Sequence, residues 1–318
     1  MTPERAEARL LDDAGAAAQQ SDFFRSREFF DAEKVSHTLL ITSAECEVAL
    51  PVLARATPDG AHLDAISPYG YPGAALRSPG AAAPIDPTAV DWSATGLVSV
   101  FARDALGVTP LLAGATDRSA VQISDPELPR KSRMSDRQQV RRNERDGYSI
   151  EMVAGPDADD AAVGSLAAVY DQTMAHTEAA DRYLFDSQWF ATVLRSACSW
   201  LFLMRARDGG LAAAALAVES DAIIHYYLSG TADEHRRASP SKNLIAAVID
   251  FAESRGMPMN LGGGLRAGDS LEAFKKGFAN RELRFRTHEL ICDPARYASL
   301  SGGRDDRGFF PAYRSSER

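Results

Sequence analysis

Cysteine and long apolar segments are scarce in this chain of 318 residues. The three cysteines, Cys46, Cys198 and Cys292, stand far apart, without a Cys-x-x-Cys pair or a nearby pair of histidines at ligand spacing. This spacing argues against a disulfide framework and against a metal site. No run of eighteen apolar residues exists, and the first thirty residues lack the apolar stretch of a signal peptide. These absences predict a cytoplasmic protein with no metal and no membrane insertion.

Net positive charge is also missing. The formal net charge of -9 argues against a protein that coats nucleic acid generally. Two segments are nevertheless basic: Arg130–Arg145 holds seven basic and two acidic residues, and Lys275–Arg286 holds five basic and one acidic. Either segment can bind one defined polyanion or form a solvated face, and the sequence leaves both interpretations open.

The length of the chain predicts two domains, because single hydrophobic cores seldom grow beyond about 250–300 residues. With 45% apolar residues, the chain can build two cores. We place the first domain at residues 1–130, the second at 131–300 and a flexible tail at 301–318.

The first half of the sequence predicts helices, strands and one long loop. Residues 1–34 read as an amphipathic helix, and residues 64–87 form a proline- and glycine-rich loop. The charged segment after residue 130 predicts a helix that closes at Gly147. Strands are predicted in TLLITS, CEVALPVLAR, GLVSVFAR and AVQIS.

The second half gives a clearer order. Helices are predicted from Asp160 to His176 and from Ser187, followed by an antiparallel meander of SWLFLMRA, LAAAALAVES and AIIHYYLSG. A central helix with Ser241 as N-cap ends at Gly256, and PMNLGGG, a short helix and LRFRTHELI complete the series. This is the element order of the GNAT acyltransferase fold. In that fold the strands on either side of the central helix diverge and leave backbone groups unpaired, and an acyl donor can pair with them.

Five motifs carry a further resemblance: SPYGYPG, NERDGY, HYYLSGT, SPSKNLIAAVIDFA and LGGGLRAGDSLEAFKKGF. Together they resemble the FemAB-like branch of the GNAT superfamily over residues 35–295. The resemblance implies an α/β (α+β) chain of two tandem GNAT-like domains, each a mixed, mostly antiparallel sheet flanked by helices. Fem-type members move an amino acid from aminoacyl-tRNA to an amine.

Two departures from the family patterns bear on the substrates. The pyrophosphate loop of GNAT enzymes, [Arg/Gln]-x-x-Gly-x-[Gly/Ala], is replaced by RRASPSKN, in which Pro240 has no N–H to offer a phosphate. The first half has SPYGYPG where peptidoglycan-directed members tend to carry an Arg-Gly-Pro loop. The first departure argues against a coenzyme A donor and the second against a muropeptide acceptor.

The sequence therefore predicts an aminoacyltransferase that uses aminoacyl-tRNA, needs no cofactor and forms an amide on a small molecule or short peptide, as in antibiotic biosynthesis. Three alternatives stay open. They are an acyl-CoA-dependent N-acyltransferase, a peptidoglycan bridge-forming enzyme and a non-catalytic binding module.

Four residues are candidates for the chemistry. The resemblance implies that Lys275 pairs with the terminal phosphate or the developing oxyanion, and that Phe274 stacks on the terminal adenine. The alternative makes Phe274 a core anchor and Lys275 a solvated side chain. Strand alternation in IIHYYLSGT puts His225, Tyr227 and Ser229 on one face, and His225 or Tyr227 is a candidate proton acceptor. A buried structural histidine is the competing interpretation.

The remaining candidates would bind the two substrates. The glycines of LGGG allow a turn that leaves room for the donor or a plain connection. Arg145 resembles a basic position of the family, and Arg141 and Arg142 can touch a tRNA backbone. Donor contacts are predicted at Ser229, Thr231, Ser241, Lys242, Asn243, Gly263, Gly264, Lys276, Arg141 and Arg145. Acceptor contacts are predicted at Tyr69, Tyr71 and Arg103, with a self-packed loop as the alternative.

Overall fold

Contacts divide the chain into two compact units. The structure is a computed structural model that describes residues 5–77, 83–264, 266, 268–304 and 308–317. Unit 1 comprises residues 1–20, 24–118 and 284–318, and unit 2 comprises residues 21–23 and 119–283. The predicted boundaries at residues 130 and 300 therefore shift, because residues 119–130 belong to unit 2 and residues 284–300 to unit 1.

Most strands of unit 1 follow one another directly, whereas most helices lie in unit 2. The strands are β1 Ala6–Leu11, β2 His37–Thr42, β3 Glu47–Ala56, β4 Leu63–Ile66, β5 Ala75–Leu76, β6 Val90–Asp91, β7 Leu97–Arg103, β8 Thr116–Ser124, β9 Ser149–Ala154, β10 Ser199–Arg205, β11 Leu211–Ser220, β12 Ile223–Thr231, β13 Met259–Gly262 and β14 Arg281–Ile291. The helices are α1 Arg27–Glu33, α2 Met134–Arg145, α3 Asp160–His176, α4 Ser187–Val193, α5 Ser241–Ser254, α6 Ser270–Lys275 and α7 Pro294–Ser301.

Unit 1 is built on a mixed, mostly antiparallel sheet. Its strand order is β6-β1-β2-β3-β4-β7-β14, with β5 paired to β3. The β1–β6 and β4–β7 pairs are parallel and the others are antiparallel. One apolar cluster covers this sheet, and Leu39, Ile41, Val48, Val52 and Val100 are fully buried in it.

The predicted helix over residues 1–34 is wrong for its first part. Residues 6–11 form β1, which pairs antiparallel with β2, and only residues 27–33 form an α-helix. Ala6 and Ala8 are buried while Glu7 and Arg9 are exposed, which is the alternation of a half-buried strand. The spacing of short apolar residues in AEARLL fits a strand as well as a helix, and pairing with β2 decides between them.

The predicted loop at residues 64–87 is interrupted by structure. Its start lies in β4, and Ala75 and Leu76 form β5. Residues 78–82 of this prediction lie outside the described residues.

The described part of the C-terminal segment packs against Asp64 of unit 1, and the flexibility predicted for residues 301–318 stays a prediction. The buried carboxylate of Asp64 accepts hydrogen bonds from Arg55, at 2.9 Å from Nε, and from Arg314, at 2.6 Å from Nε. The Tyr313 hydroxyl donates to the same carboxylate at 3.1 Å and lies 2.7 Å from the Ser99 hydroxyl. Residues 305–307 and 318 lie outside the described part of the chain.

The strands of unit 2 are also mixed in direction, and their order is β8-β13-β12-β11-β10-β9. The predicted antiparallel meander of β10, β11 and β12 is confirmed, and β9 extends it beyond β10. The β12–β13 pair is parallel, and β13 pairs antiparallel with β8. The sequence does not predict β9, an edge strand in which Ser149, Glu151 and Met152 are exposed.

The central helix α5 covers one face of this sheet. Leu244, Ile245, Val248 and Ile249 are buried in a cluster that also holds the small inward residues of β11. This explains the alanine run in β11, because small side chains let a helix approach the sheet closely. On the other face, Leu166, Val169 and Tyr170 of α3 are buried.

We expect Asp64→Asn to lower the free energy of unfolding by about 3 kcal/mol or more, because it leaves two guanidinium groups without their buried counter-charge. Chemical denaturation measures the change. Asp12→Asn, at a carboxylate whose side chain is 96% exposed, is the matched control and should stay within about 0.5 kcal/mol of the parent. Equal stabilities of the two variants would contradict a role of Asp64 in fixing the C-terminal segment.

Candidate functional site

The strands on either side of α5 diverge, as the sequence predicts. β12 and β13 pair at only two positions, Ile224 with Met259 and His225 with Asn260. β13 then shifts register and Gly262 pairs with Gln122 of β8. Within the described residues, β12 therefore has no β13 partner from Tyr226 to Thr231. We call this unpaired stretch between the two strands the gap.

A β-bulge lies where the gap begins. Leu228 faces Leu216 across the β11–β12 ladder and Tyr226 faces Ala217, so Tyr227 is the extra residue. Because Ala217 belongs to the apolar cluster under α5, its partner Tyr226 lies on the α5 face. Past the bulge the alternation is inverted, since Ser229 pairs with Ala215 of the same cluster.

The bulge corrects the predicted faces of β12. Ser229 and Thr231, which pair with Ala215 and Ala213, share the α5 face with Tyr226 and not the face of His225. On the opposite face Gly230 lies against α3, where a Cβ would come within 2.3 Å of the Val169 carbonyl oxygen. The sequence predicts no bulge, because one extra residue leaves the composition of the strand unchanged.

Tyr226 is the residue at the gap that the sequence reading missed. Its ring packs against the α5 cluster, and its hydroxyl is buried with no hydrogen-bond partner among the described residues. Burial raises the pKa of Tyr226 to about 12, and Ser229 lies close enough to oppose this rise without reaching hydrogen-bond geometry. The hydroxyl therefore stays protonated at neutral pH and can donate one hydrogen bond.

His225 and Tyr227 belong to the interior of unit 2. His225 Nδ1 lies 3.0 Å from Asn260 Nδ2, and burial lowers the pKa of the imidazole to about 3. A group with that pKa is a poor general base near neutrality, so the competing interpretation of a structural histidine fits better. The ring of Tyr227 contacts those of Phe23 and Trp189, with centroids 5.8 and 6.2 Å away.

Lys275 lies at the end of β13, on the other side of the gap. It occupies the last turn of α6, and its Nζ donates to the Gly263 carbonyl at 2.7 Å. Burial lowers the pKa of Lys275 to about 8, an effect that the Asp269 carboxylate opposes. The side chain is thus a partly desolvated ammonium group held to the backbone that leaves β13.

The three glycines before α6 serve contacts of the protein itself. Gly262 has φ +79°, a conformation that favours glycine, and a Cβ there would lie 3.0 Å from Lys275 Nζ. A Cβ on Gly264 would come within 2.4 Å of Asp269, which caps α6 by accepting from the Glu272 amide at 2.7 Å. These contacts favour the interpretation of the glycines as a connection between β13 and α6, one that also positions Lys275. Leu265 and Ala267 of this motif lie outside the described residues.

Two neighbours of Lys275 on α6 have local partners. Phe274 is partly buried against the α5 cluster and contacts the Phe278 ring, with centroids 5.7 Å apart. Lys276 forms an ion pair with Glu272 at 2.5 Å, and this hydrogen bond raises the pKa of the lysine. Phe274 thus anchors the helix, and its predicted stacking on adenine stays a prediction.

The start of α5 is closed to a diphosphate. Ser239 is left-handed, with φ 48°, and the N-cap position is Pro240 rather than the predicted Ser241, which is the first helical residue. The amides of Lys242 and Asn243 already donate to the carbonyls of Ser239 and Pro240, at 3.1 and 3.0 Å. Proline has no amide to contribute. Of the groups that could hold a diphosphate at this helix N-terminus, the amides of Lys242 and Asn243 are therefore occupied and that of residue 240 is missing.

The predicted donor contacts Lys242 and Asn243 instead join α5 to α2. Lys242 Nζ lies 2.9 Å from Asp136, and Asn243 accepts from the Asn143 side chain at 2.7 Å. The second oxygen of the Asp136 carboxylate is buried and has no partner among the described residues. A buried carboxylate beside the helix N-terminus adds a negative charge where a phosphate would need a positive one.

The predicted donor contacts Arg141 and Arg145 are exposed on α2. Their role in donor binding stays a prediction, as does that of Thr231, whose amide donates to Thr173 at 2.8 Å.

The predicted acceptor residues lie in unit 1 and order their own loop. Arg103 Nη1 donates to the Ser67 carbonyl at 2.6 Å, and the Tyr69 amide donates to Glu33 at 3.0 Å. The Tyr71 ring contacts that of Phe285, with centroids 5.3 Å apart. These contacts correspond to the self-packed loop that the sequence left open, and acceptor binding stays a prediction.

The described residues contain neither a metal-binding cluster nor a helix that could span a membrane. No cluster of histidine, cysteine or carboxylate side chains there could hold a metal ion. Among the helices of that part of the chain, none has the length and apolar character needed to cross a bilayer.

Comparison with known proteins agrees with this geometry. Residues 130–276, which include β12, α5, β13 and Lys275, match the family model described as acetyltransferase (GNAT) domain. No curated protein matches the chain.

Solved structures share the fold at low sequence identity. The crystal structure of FemX is similar with a TM-score of 0.61 at 12% identity, covering 91% of this chain and 96% of FemX. The structure of L-PGS from Bacillus licheniformis has a TM-score of 0.52 at 12% identity, covering 76% of this chain and 84% of L-PGS. A conserved protein of unknown function from Bacteroides thetaiotaomicron has a TM-score of 0.52 at 10% identity, covering 85% and 90% of the two chains.

The gap beside α5 lies within residues 130–276, which match the family model. The similarity to FemX covers 91% of this chain. Residues 130–276 thus match the acetyltransferase (GNAT) domain model, and the fold of the chain is similar to that of FemX.

Proposed function

We propose that the chain moves an aminoacyl group from aminoacyl-tRNA to the amine of a small molecule or short peptide. The gap between β12 and β13 would hold the aminoacyl ester. One observation carries the choice of donor: the β12–β13 ladder ends after two pairs, while at the helix N-terminus beside it Pro240 has no amide and the amides of Lys242 and Asn243 already donate to the protein.

The gap offers backbone groups to an extended donor. From Tyr226 to Gly230, the edge of β12 that faces away from β11 is unpaired by β13, whereas the backbone of Thr231 is bonded to the Thr173 side chain. Backbone N–H and C=O groups in such a position need partners, and an aminoacyl group provides both an amine and a carbonyl. The donor would therefore lie along β12, with its ester near the bulge.

The closed α5 start argues for a donor that is held without a diphosphate. An acyl-CoA carries its diphosphate close to the position that backbone amides occupy in GNAT enzymes. Here the amides of Lys242 and Asn243 are engaged, and Asp136 is nearby. The 3′ end of a tRNA needs no such cradle, because the rest of the RNA supplies its binding energy.

Lys275 would supply the positive charge. Attack of a neutral amine on the ester forms a C–N bond and places negative charge on the carbonyl oxygen. A partly desolvated ammonium group stabilises such charge more strongly than a solvated one does. With a pKa of about 8, Lys275 is mostly protonated at pH 7.

Tyr226 would donate the second hydrogen bond to the same oxygen or to the acceptor. Within the described residues its neutral hydroxyl has no partner in hydrogen-bond geometry, although Ser229 is near. As the C–O bond breaks, the leaving ribose oxygen takes up the proton that the amine loses. An aminoacyl ester is already activated, so positioning and charge stabilisation suffice without His225 as a base.

A second candidate is an acyl-CoA-dependent N-acyltransferase. It is favoured by the match of residues 130–276 to the acetyltransferase (GNAT) model. Both candidates use the same gap and the same lysine, and they differ in the donor.

The donor is tested directly. We expect product to form from a candidate amine and charged tRNA, and we expect no product when the charged tRNA is first treated with ribonuclease. In calorimetry, acetyl-CoA should show no saturable low-micromolar binding. Product that survives the ribonuclease treatment, together with such acetyl-CoA binding, would favour the second candidate.

Lys275→Ala should lower kcat by about 10²–10³-fold, the usual cost of losing one donor to an oxyanion. Steady-state transfer measures the loss, and Arg195→Ala, at an exposed arginine elsewhere in unit 2, is the control. Normal turnover of Lys275→Ala would mean that the chemistry lies elsewhere or that the chain is a binding module.

The pH profile tests the charge on Lys275. Burial disfavours the ammonium form and lowers its pKa, so the charge disappears as the pH rises through about 8. We expect the activity of the parent relative to Lys275→Arg to fall about tenfold per pH unit above that value, because arginine stays charged. A constant ratio from pH 6 to 10 would argue against an ammonium group in the transition state.

Tyr226→Phe should lower kcat by about tenfold or more and leave the melting temperature unchanged or slightly raised, because it removes a buried hydroxyl that has no partner. Tyr227→Phe is the matched control and should keep the parent kcat. A loss of stability without a loss of kcat would assign Tyr226 to the core alone.

A further inference from the structure

Four arginines form a row along α2. Arg133, Arg137, Arg141 and Arg145 follow one another at intervals of four residues, and all four are exposed. At 100° and 1.5 Å per residue, they lie within a sector of about 120° and span about 18 Å. We call this set the arginine row. Asp136 and Asn143, which are buried, mark the opposite side of the helix.

The row has an energetic cost within the helix. Like charges four residues apart repel each other by a few tenths of a kcal/mol per pair, and arginines in the first turn oppose the helix dipole. Arg142, outside the row, approaches Asp146 in an i,i+4 ion pair at 3.7 Å. Neither Arg141 nor Arg145 has an ion-pair partner in the part of the chain that the structure describes. An anion bound along the row would offset this repulsion.

The row begins beside the helix that carries Lys275. Arg133 Nη2 donates to the Ala273 carbonyl of α6 at 2.7 Å, two residues before Lys275. Arg137 and Arg141 continue the row along α2, and the groove that they line also includes Phe278, three residues after Lys275. A ligand that reaches Lys275 with one end can therefore continue along the row.

The surroundings of the row are mixed in charge. An open groove between α2 and α5 is lined by Arg137 and Arg141 and also by Glu144 and Asp250. Arg130 compensates Asp250 through an ion pair at 2.5 Å. On a chain of formal net charge -9, the row is a local concentration of positive charge on an acidic protein.

We infer that the arginine row binds the phosphate backbone of the RNA whose 3′ end enters the gap. The inference rests on the proposed function for the identity of that RNA. Guanidinium groups match phosphates with paired hydrogen bonds. Their linear arrangement, at steps of about 6 Å, suits a polymer that carries one phosphate after another.

An anionic membrane is the competing ligand, and the row fits it less well. A helix that lies on a membrane pairs its basic residues with a broad apolar face that enters the lipid. On α2 the exposed apolar residue is Met134, while the inner side is polar and bound to α5. The row therefore favours an RNA backbone.

Binding of RNA without any chemistry tests this inference. The probe is a dye-labelled RNA hairpin that ends in single-stranded CCA, followed by fluorescence anisotropy at several salt concentrations. The variant is Arg141→Glu/Arg145→Glu. The matched control is Arg182→Glu/Arg195→Glu, which makes the same charge change at exposed positions of unit 2. Circular dichroism confirms that both variants are folded.

We expect the row variant to bind the hairpin about tenfold or more weakly than the parent. The slope of log K against log salt should fall by about 2, since two phosphate contacts are lost. The control should stay within about twofold. Equal affinities and slopes for parent and row variant would overturn the inference. So would an unchanged affinity for the hairpin combined with lost binding to phosphatidylglycerol vesicles, which would assign the row to a membrane.

The two proposals fail in different ways. If the row is needed for hairpin binding but no aminoacyl group is transferred, the proposed function is wrong and the RNA surface stands. If transfer from charged tRNA continues in the row variant with an unchanged KM for tRNA, the row is overturned and the proposed function stands.

Discussion

The early divergence of β12 from β13 is the constraint on which unit 2 depends. Two parallel strands that share a core would normally pair along their length, yet here the ladder stops after His225 and Asn260. Unpaired buried backbone groups each cost about 1–3 kcal/mol, so the surrounding structure must hold the strands apart. A bulge at Tyr227 and the hydrogen bond from Lys275 to Gly263 are the local features that keep the two ends distinct.

Much of this architecture could be predicted from the sequence. The helix from Asp160 to His176 and the three-stranded meander were predicted because long elements repeat their apolar pattern several times. The same patterns, with the capping residues, supplied the order of elements around the gap. Residues 6–11 were not predicted correctly, because six residues of alternating small and charged side chains do not distinguish a strand from a helix.

The details of the candidate site were harder to predict because they depend on register and on pairs of distant residues. A single extra residue in β12 moves Ser229 to the face of Tyr226, and no local composition reports it. Lys242 and Asn243 stand beside the helix start in sequence, but Asp136 and Asn143 of another helix determine what they bind. One feature of the α5 N-terminus could be predicted from the sequence, because Pro240 lacks an amide in any fold.

The pairing of β7 with β14 has a consequence for synthesis on the ribosome. Asp104, directly after β7, and His288 of β14 lie 3.0 Å apart although 184 residues separate them in the chain. At a translation rate of about 5–20 residues per second, roughly 10–40 s pass between the synthesis of β7 and that of β14. All of residues 119–283 emerge in that interval, so the nascent chain carries an unpaired strand edge until its last part is translated. Chaperones that cover exposed strands would matter most for this protein during that interval.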